Sequence, residues 1–274
     1  MKKLFVSAAM LALLSTSCSE DQTTLTPGDP ADPGFQTLVD EFGNVDESTN
    51  SMTGMSFEII GAIMDGGAGP AKPTLQGVEY TLDYDTETDF WVAHLVLDDG
   101  AGNLAVISDS VQFIQDGHPR RIPNPDSLDV VRCFLTMEAS GENGTLSGFQ
   151  NVTLVPDYQD TTVLVTVDGR GGLQGTYVHE NTDSTGTTQC TVGAAFSSTF
   201  SRVVVDVTNG TPAGCPLAGT VTHRGDLSVL CTGAKPLTHE GSWSINLTFV
   251  DGDSVRVSAV RGDNIWNFTT PCGD

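Results

Sequence analysis

A two-residue alternation of apolar and polar side chains runs through most of the chain after Pro73, and it constrains the fold more than any other feature. Successive side chains of an extended strand point to opposite faces, so this repeat gives each segment one apolar and one polar side. Trp243, Ile245, Leu247 and Phe249 alternate with Ser242, Ser244, Asn246 and Thr248; Asp251-Gly252-Asp253 then supplies a turn before Val255, Val257 and Ala259. This reads as a hairpin whose second face carries mostly hydroxyls. Similar runs recur at 78–84, 90–97, 103–107, 130–137, 148–154, 162–167, 172–179, 191–200, 202–208, 218–222, 227–231 and 265–269.

The stretches between these runs are short and carry Gly, Asp, Asn or Pro, as in Asp98-Asp99-Gly100-Ala101-Gly102 and Asp168-Gly169-Arg170-Gly171. Links this short join antiparallel neighbours, because a parallel pair needs a crossover of about a dozen residues or more. More than about ten strongly twisted strands curl, close or split into layers. The expected fold is therefore all-β: an antiparallel meander forming a highly curved sheet or barrel, with a sandwich as the alternative. An outer-membrane barrel is disfavoured. Aromatic residues are 7% of the chain, no girdle pattern is visible, and the chain ends Pro271-Cys272-Gly273-Asp274 rather than on a strand.

Ahead of the alternating region the period changes. Met52, Met55, Ile59, Ile60, Ile63 and Met64 fall mostly three and four apart, which predicts one amphipathic helix over 46–65, packed on the sheet and ended by Gly66-Gly67. Residues 19–34 (SEDQTTLTPGDPADPG) hold three Pro and no aromatic residue, and predict an extended stalk that buries little. Residues 35–274 then form a single β-rich domain.

Charge excludes one class of partner. The chain carries 12 Lys plus Arg against 35 Asp plus Glu, a net charge of −23. Nucleic-acid affinity comes mainly from cationic side chains displacing counterions, so no nucleic-acid partner is expected.

Met1 to Cys18 reads MKKLFVSAAMLALLSTSC: two lysines, an apolar run from Leu4 to Leu14, then small residues before a cysteine. The run is shorter than the about 20 residues a membrane-spanning helix needs, and fits the core of a signal peptide over 1–17. The segment resembles a bacterial lipoprotein signal, although Ser15 stands where Leu is usual and Leu14 comes one place early. That resemblance implies lipidation of Cys18, export and a membrane partner through the lipid anchor. An ordinary secretory signal cleaved near Ser17 is the alternative. Cys18-Ser19-Glu20-Asp21 is similar to the acidic stretch that some Bacteroidetes-type lipoproteins use for surface display. The expected place is the outer membrane, on its periplasmic or cell-surface side. Loss of residues 1–17 removes two lysines and leaves 10 basic against 35 acidic residues.

Cys133, Cys190, Cys215, Cys231 and Cys272 remain after Cys18, with no C-x-x-C pair among them, so zinc and thioredoxin-type chemistry lack support. Disulfides are the default in an exported chain. A hairpin expected to turn around 223–226 sets Cys215 opposite Cys231, and elimination pairs Cys190 with Cys272. Cys133, inside Val130-Val131-Arg132-Cys133-Phe134-Leu135, then stays a buried free thiol.

Asp83, Asp85, Glu87 and Asp89 stand at alternate positions and are a weak Ca²⁺ candidate, since oxygen ligands gathered this way suit that ion. Thr88 and His94, however, occupy the places of the Gly and the bidentate Glu of an EF-hand loop, and a hairpin turn accounts for the same residues. Asp98, Asp99, Asp251 and Asp253 admit the same two readings. Arg224-Gly225-Asp226 and Arg261-Gly262-Asp263 are adhesion-type triplets that also suit tight turns. The five histidines show no metal spacing, and no G-x-S-x-G, P-loop or G-x-G-x-x-G occurs. No cofactor is expected apart from that weak Ca²⁺ possibility. The function expected is that of an outer-membrane or surface-exposed lipoprotein, a non-catalytic binding or structural module for an unknown ligand or protein. One alternative is a carrier of a small apolar ligand inside a β-barrel, with the Met52–Met64 helix as lid; another is a secreted hydrolase.

Overall fold

A computed structural model describes residues 25–39, 41, 56–57, 59–61, 63, 78–98, 100–159, 162–183, 185–208 and 214–271. Thirteen strands follow one another: β1 (Thr26–Pro27), β2 (Val78–Asp85), β3 (Phe90–Asp98), β4 (Leu104–Gln115), β5 (His118–Arg120), β6 (Val130–Gly141), β7 (Gly144–Gln159), β8 (Thr162–Asp183), β9 (Gly186–Asp206), β10 (Ala218–Gly233), β11 (Leu237–Val250), β12 (Ser254–Arg261) and β13 (Asn264–Pro271). They form one sheet in the order β1-β13-β12-β11-β10-β9-β8-β7-β6-β4-β3-β2, with β5 folded back on β4. The meander read from the short links is present. The sheet does not close, so the barrel form of the expectation is not realised, and with a single sheet neither is the sandwich.

Register carries the two-residue repeat across the molecule. Trp91, Val111, Cys133 and Val152 stand opposite one another on β3, β4, β6 and β7 and are all buried. On the other side Val221 pairs with Leu247 and His223 with Ile245, again facing inward. Sustained over so many strands, this row of buried side chains makes one continuous apolar face. Each fully buried Val, Leu, Ile or Phe stabilises the fold by about 1.5–3 kcal/mol.

Three strands each join two segments that the sequence reading kept apart. β8, β9 and β10 continue through 168–171, 201 and 223–226, where the reading broke them. Those glycines and charged residues serve the interior of bent strands instead of turns. Gly169 (φ 154°) sits at a bulge against β9, and a Cβ there would meet the Asn151 carbonyl oxygen at 2.3 Å. A Cβ on Gly225 would come within 1.9 Å of the Ala195 carbonyl oxygen. Glycine in a strand interior often marks such a bulge or close backbone approach. Arg224-Gly225-Asp226 therefore lies within β10, not at a hairpin tip, while Arg261-Gly262-Asp263 does span the β12–β13 turn with Gly262 at φ 57°.

Helical residues 56–57, 59–61 and 63 fall within the expected 46–65 helix, and Phe57, Ile59, Ile60 and Ile63 are buried against the sheet. Met52, Met55, Met64 and Gly66-Gly67 lie outside the described residues. A second helix over 33–39, α1, was not foreseen. Asp32 caps it by accepting from the Phe35 N–H at 2.9 Å, and Pro33 takes the first helical position, where its missing N–H costs nothing.

The expected stalk is corrected from Thr26 onward. Thr26 and Pro27 pair in parallel with Asn264 and Ile265 of β13. Asp32 binds Arg261 through two contacts at 2.9 Å, Phe35 stacks on Trp266 with ring centroids 5.0 Å apart, and Trp266 Nε1–H donates to the Asp29 carbonyl at 2.9 Å. Composition suggested a free tether because the partners that hold this segment lie at the far end of the chain.

The disulfide pairing also differs from the reading. Cys190 and Cys231 stand directly opposite on β9 and β10 and are joined, so Cys231 bonds neither Cys215 nor a loop neighbour, and Cys190 does not bond Cys272. Cys215 is disulfide-bonded as well, but not to Cys231. The error follows from the missed continuity of β10. Cys133 is a buried free thiol, as expected, and burial pushes its pKa well up.

Candidate functional site

The polar face of the sheet holds a groove of about 700 Å³, within the range of small-molecule sites. Its floor is made by Thr145 and Ser147 of β7, Gln174 and Thr176 of β8, and Gly193 and Ala195 of β9. One wall is Leu104 and Val106 of β4 with Glu138 and Ser140 of β6; the other is Asp226 and Ser228 of β10 with Glu240 of β11. A flat sheet has no walls. Twist supplies them, because each strand is rotated relative to its neighbour and the edges of a large sheet rise out of the plane of its middle.

Register brings these residues together although they are far apart in the chain. Val106 pairs with Glu138, Glu138 with Ser147, Ser147 with Gln174, Gln174 with Ala195, and Ala195 with Asp226. Small residues at Gly193 and Ala195 leave the space, and the Ser228 hydroxyl leans over Gly193 to donate to its carbonyl at 3.4 Å. Asp226 accepts from the Ser242 hydroxyl. Glu138, Asp226 and Glu240 are exposed and make no ion pair among the described residues, so the groove is electronegative. No lining residue is basic.

Along the same face, Phe149 lies one step from Ser147 and directly opposite Gly172. A Cβ on Gly172 would come within 2.6 Å of Phe149 Cε1, so the ring rests on the glycine backbone while the side chain stays 40% exposed. Phe134 stands diagonally across on β6, 45% exposed.

The opposite, apolar face contains a second set of polar groups, all buried: Asp109, Gln150, Ser198 and His223. They share one cross-strand row, in which Asp109 pairs with Leu135, Leu135 with Gln150, Gln150 with Gly171, Gly171 with Ser198 and Ser198 with His223. Ser56 donates to Asp109 Oδ2 at 2.7 Å and ties the helical segment to β4. Burial pushes the Asp109 carboxyl up to about 6, against the lowering effect of Ser56 and the Ser110 N–H. Ser198 Oγ and His223 Nδ1 lie 2.8 Å apart, and burial lowers the His223 pKa to about 4. A Ser-His pair of this kind is what the hydrolase alternative asks for. At 4% and 0% exposure, however, neither residue meets solvent, and a substrate would have to open the core to reach them.

The Ca²⁺ candidates fall in the β2–β3 hairpin. Asp85 accepts from the Glu87 N–H and the Thr88 hydroxyl, and these two bonds, the hydroxyl first, hold its carboxyl below the usual range. Asp89 adopts φ 59° and accepts from the Tyr84 hydroxyl. These are turn interactions, and no group of three or more His, Cys, Asp or Glu side chains stands ready for a metal among the described residues. Cys18 lies outside the described residues. No helix among them is long and apolar enough to cross a membrane.

No family model matches the chain, and no curated protein or solved structure matches it either. The alternation predicted a hydroxyl-bearing face, which is where the groove lies. Its members were not singled out, because only strand register reveals which hydroxyls and carboxylates become neighbours.

Proposed function

We propose that this chain is an outer-membrane or surface-exposed lipoprotein, held by a lipid on Cys18, that acts as a non-catalytic binding module through the groove on its polar face. The observation that carries the binding role is that groove: about 700 Å³ on an exposed face, lined by a mostly apolar surface that includes Leu104 and Val106, with hydroxyls on its floor and carboxylates on both walls that lack a cationic partner among the described residues. The anchor rests on the lipoprotein-like segment ending at Cys18. Docking at Thr26 sets the reach of such an anchor, since the chain from Cys18 to Thr26 spans at most roughly 28 Å at about 3.5 Å per residue. A lipid there would keep the body beside the membrane rather than at the end of a long stalk.

Feeding cells a radioactive fatty acid tests the anchor. Label is expected in the protein and is expected to vanish in Cys18→Ala; an unlabelled protein, or label that survives the substitution, overturns it. Ala195→Trp, which fills the groove from its floor, tests the module. Ligand binding is expected to be lost while the thermal midpoint moves little, and binding retained by this variant excludes the groove.

A further inference from the structure

Given that the groove binds a ligand, its surroundings narrow the class. Phe149 is a large apolar side chain set against Gly172 and partly open to solvent, on a face made mostly of hydroxyl, amide and charged groups where Leu104, Phe134, Val155 and Leu230 are also exposed. Nothing in core packing calls for a ring at this position, because the strand's apolar side is occupied by Gln150 and Val152. Exposed apolar surface rimmed by polar groups marks a recognition site. Next to the ring, on the same face, stand a hydroxyl at Ser147, a side-chain amide at Gln174 and the Glu138 carboxylate, while Asp226 lies farther off, three strands away across β8 and β9.

We propose that the groove takes a neutral oligosaccharide that runs on over Phe149, with one sugar ring stacking its C–H face there beside Gln174 and Glu138 and with Asp226, on the far side of the groove, bonding the hydroxyls of another unit. A pyranose has an apolar face and a rim of hydroxyls that both donate and accept. It therefore matches an aromatic platform on one face with groups that accept only (Glu138, Asp226) and one that does both (Gln174). Within the groove the carboxylates and the absence of a basic lining residue disfavour phosphates and acidic sugars, which is why the glycan is neutral; Arg170 and Arg224 stand on the same face near Phe149 but outside the groove lining. The volume has room for a few sugar units, and Phe149 and Phe134 lie just outside its lining, farther along the strands on the same face, where a longer chain would rest.

The test immobilises the full chain and titrates it with neutral hexasaccharides of glucose, mannose, galactose and xylose, and separately with pentalysine. Saturable binding of at least one hexasaccharide is expected, weakened at least fivefold by Phe149→Ala and by Gln174→Ala and kept by Phe149→Trp, with the thermal midpoint unchanged. Saturable binding of pentalysine alone, lost in Ala195→Trp, overturns the sugar assignment and leaves the binding module standing. Binding of neither overturns both, and hexasaccharide binding indifferent to Phe149→Ala overturns the stacking role and the proposal with it.

Discussion

Asp109 and His223 are buried on the same face and respond to pH in opposite senses. Asp109 titrates near 6 in the folded chain against an ordinary value of 3.8, so its ionisation destabilises the fold above pH 6 and this penalty disappears as pH falls toward 4. The shift corresponds to about 3 kcal/mol as an upper figure, at about 1.4 kcal/mol per pH unit. Tyr80, Cys133 and Ser56 face the same carboxyl; burial and Asp109 push the Tyr80 hydroxyl up to about 12. His223 is neutral when folded, titrating near 4 against 6.5, so protons bind the unfolded chain first and stability falls as pH drops from 6.5 toward 4. The two effects nearly cancel in that window. Asp109→Asn is expected to raise stability at pH 7 by about 1–3 kcal/mol in urea unfolding and to expose the His223 slope, so that the variant loses stability between pH 6.5 and 4. A variant less stable than the parent at pH 7 would refute this account. The alternation of Asp109 with Ile107 and Val111 marks its burial, although the run read from the sequence stopped at 107; its partner Ser56 leaves no such mark, because nothing local relates the two.

At the scale of elements, two features are open to direct test. Gly225 sits within β10 because a side chain there would strike the Ala195 carbonyl. Gly225→Ala is expected to cost about 2–4 kcal/mol by forcing the strands apart, within the range of severe packing substitutions; a neutral effect in thermal unfolding would mean that β10 does break there. The second is the strap formed by β1 and α1. Arg261 is shared by the Asp32 carboxylate and by the faces of Trp243 and Trp266, with its Cζ 5.0 and 5.7 Å from the ring centroids. Burial alone would raise the Asp32 carboxyl, but the Phe35 N–H, Arg261 and the Gly34 N–H outweigh it and hold it low. Arg261→Ala is expected to release residues 26–39 to limited proteolysis before the sheet is cut, and simultaneous cleavage of both would show that the strap does not depend on this clasp. Helix α1 announced itself in Asp32-Pro33, a cap followed by the residue that suits the first helical position, but the surrounding Pro and Gly obscured it. The strands were readable as segments and misread as to length, because glycine marks a tight turn and a bent strand alike.

Two whole-molecule properties follow from an open sheet with a surplus of carboxylates. With a formal charge of −23, self-repulsion weakens the compact state and salt screens it. The thermal midpoint is expected to rise between about 10 and 150 mM NaCl, where the Debye length shortens from roughly 30 to 8 Å; a midpoint that falls with salt would show that attractive ion pairs dominate. The Cys190–Cys231 link closes a loop of 41 residues, which the chain-entropy relation values at about 4 kcal/mol. The double variant Cys190→Ser, Cys231→Ser is expected to lower the midpoint without changing the far-ultraviolet β spectrum at 25 °C, whereas complete loss of that spectrum would show that the sheet depends on the bond.

Strand class, antiparallel order and the existence of one apolar and one hydroxylated face were determined by the sequence alone, because a period of two acts locally: each side chain's face depends only on its own position in the strand. Whether the sheet closes, which cysteines meet, where the N-terminal segment docks and which carboxylates share a groove with Gln174 were decided only in three dimensions. Those outcomes depend on register and twist summed over many strands, and on contacts such as Asp32 with Arg261 or Ser56 with Asp109 that join residues distant in the chain.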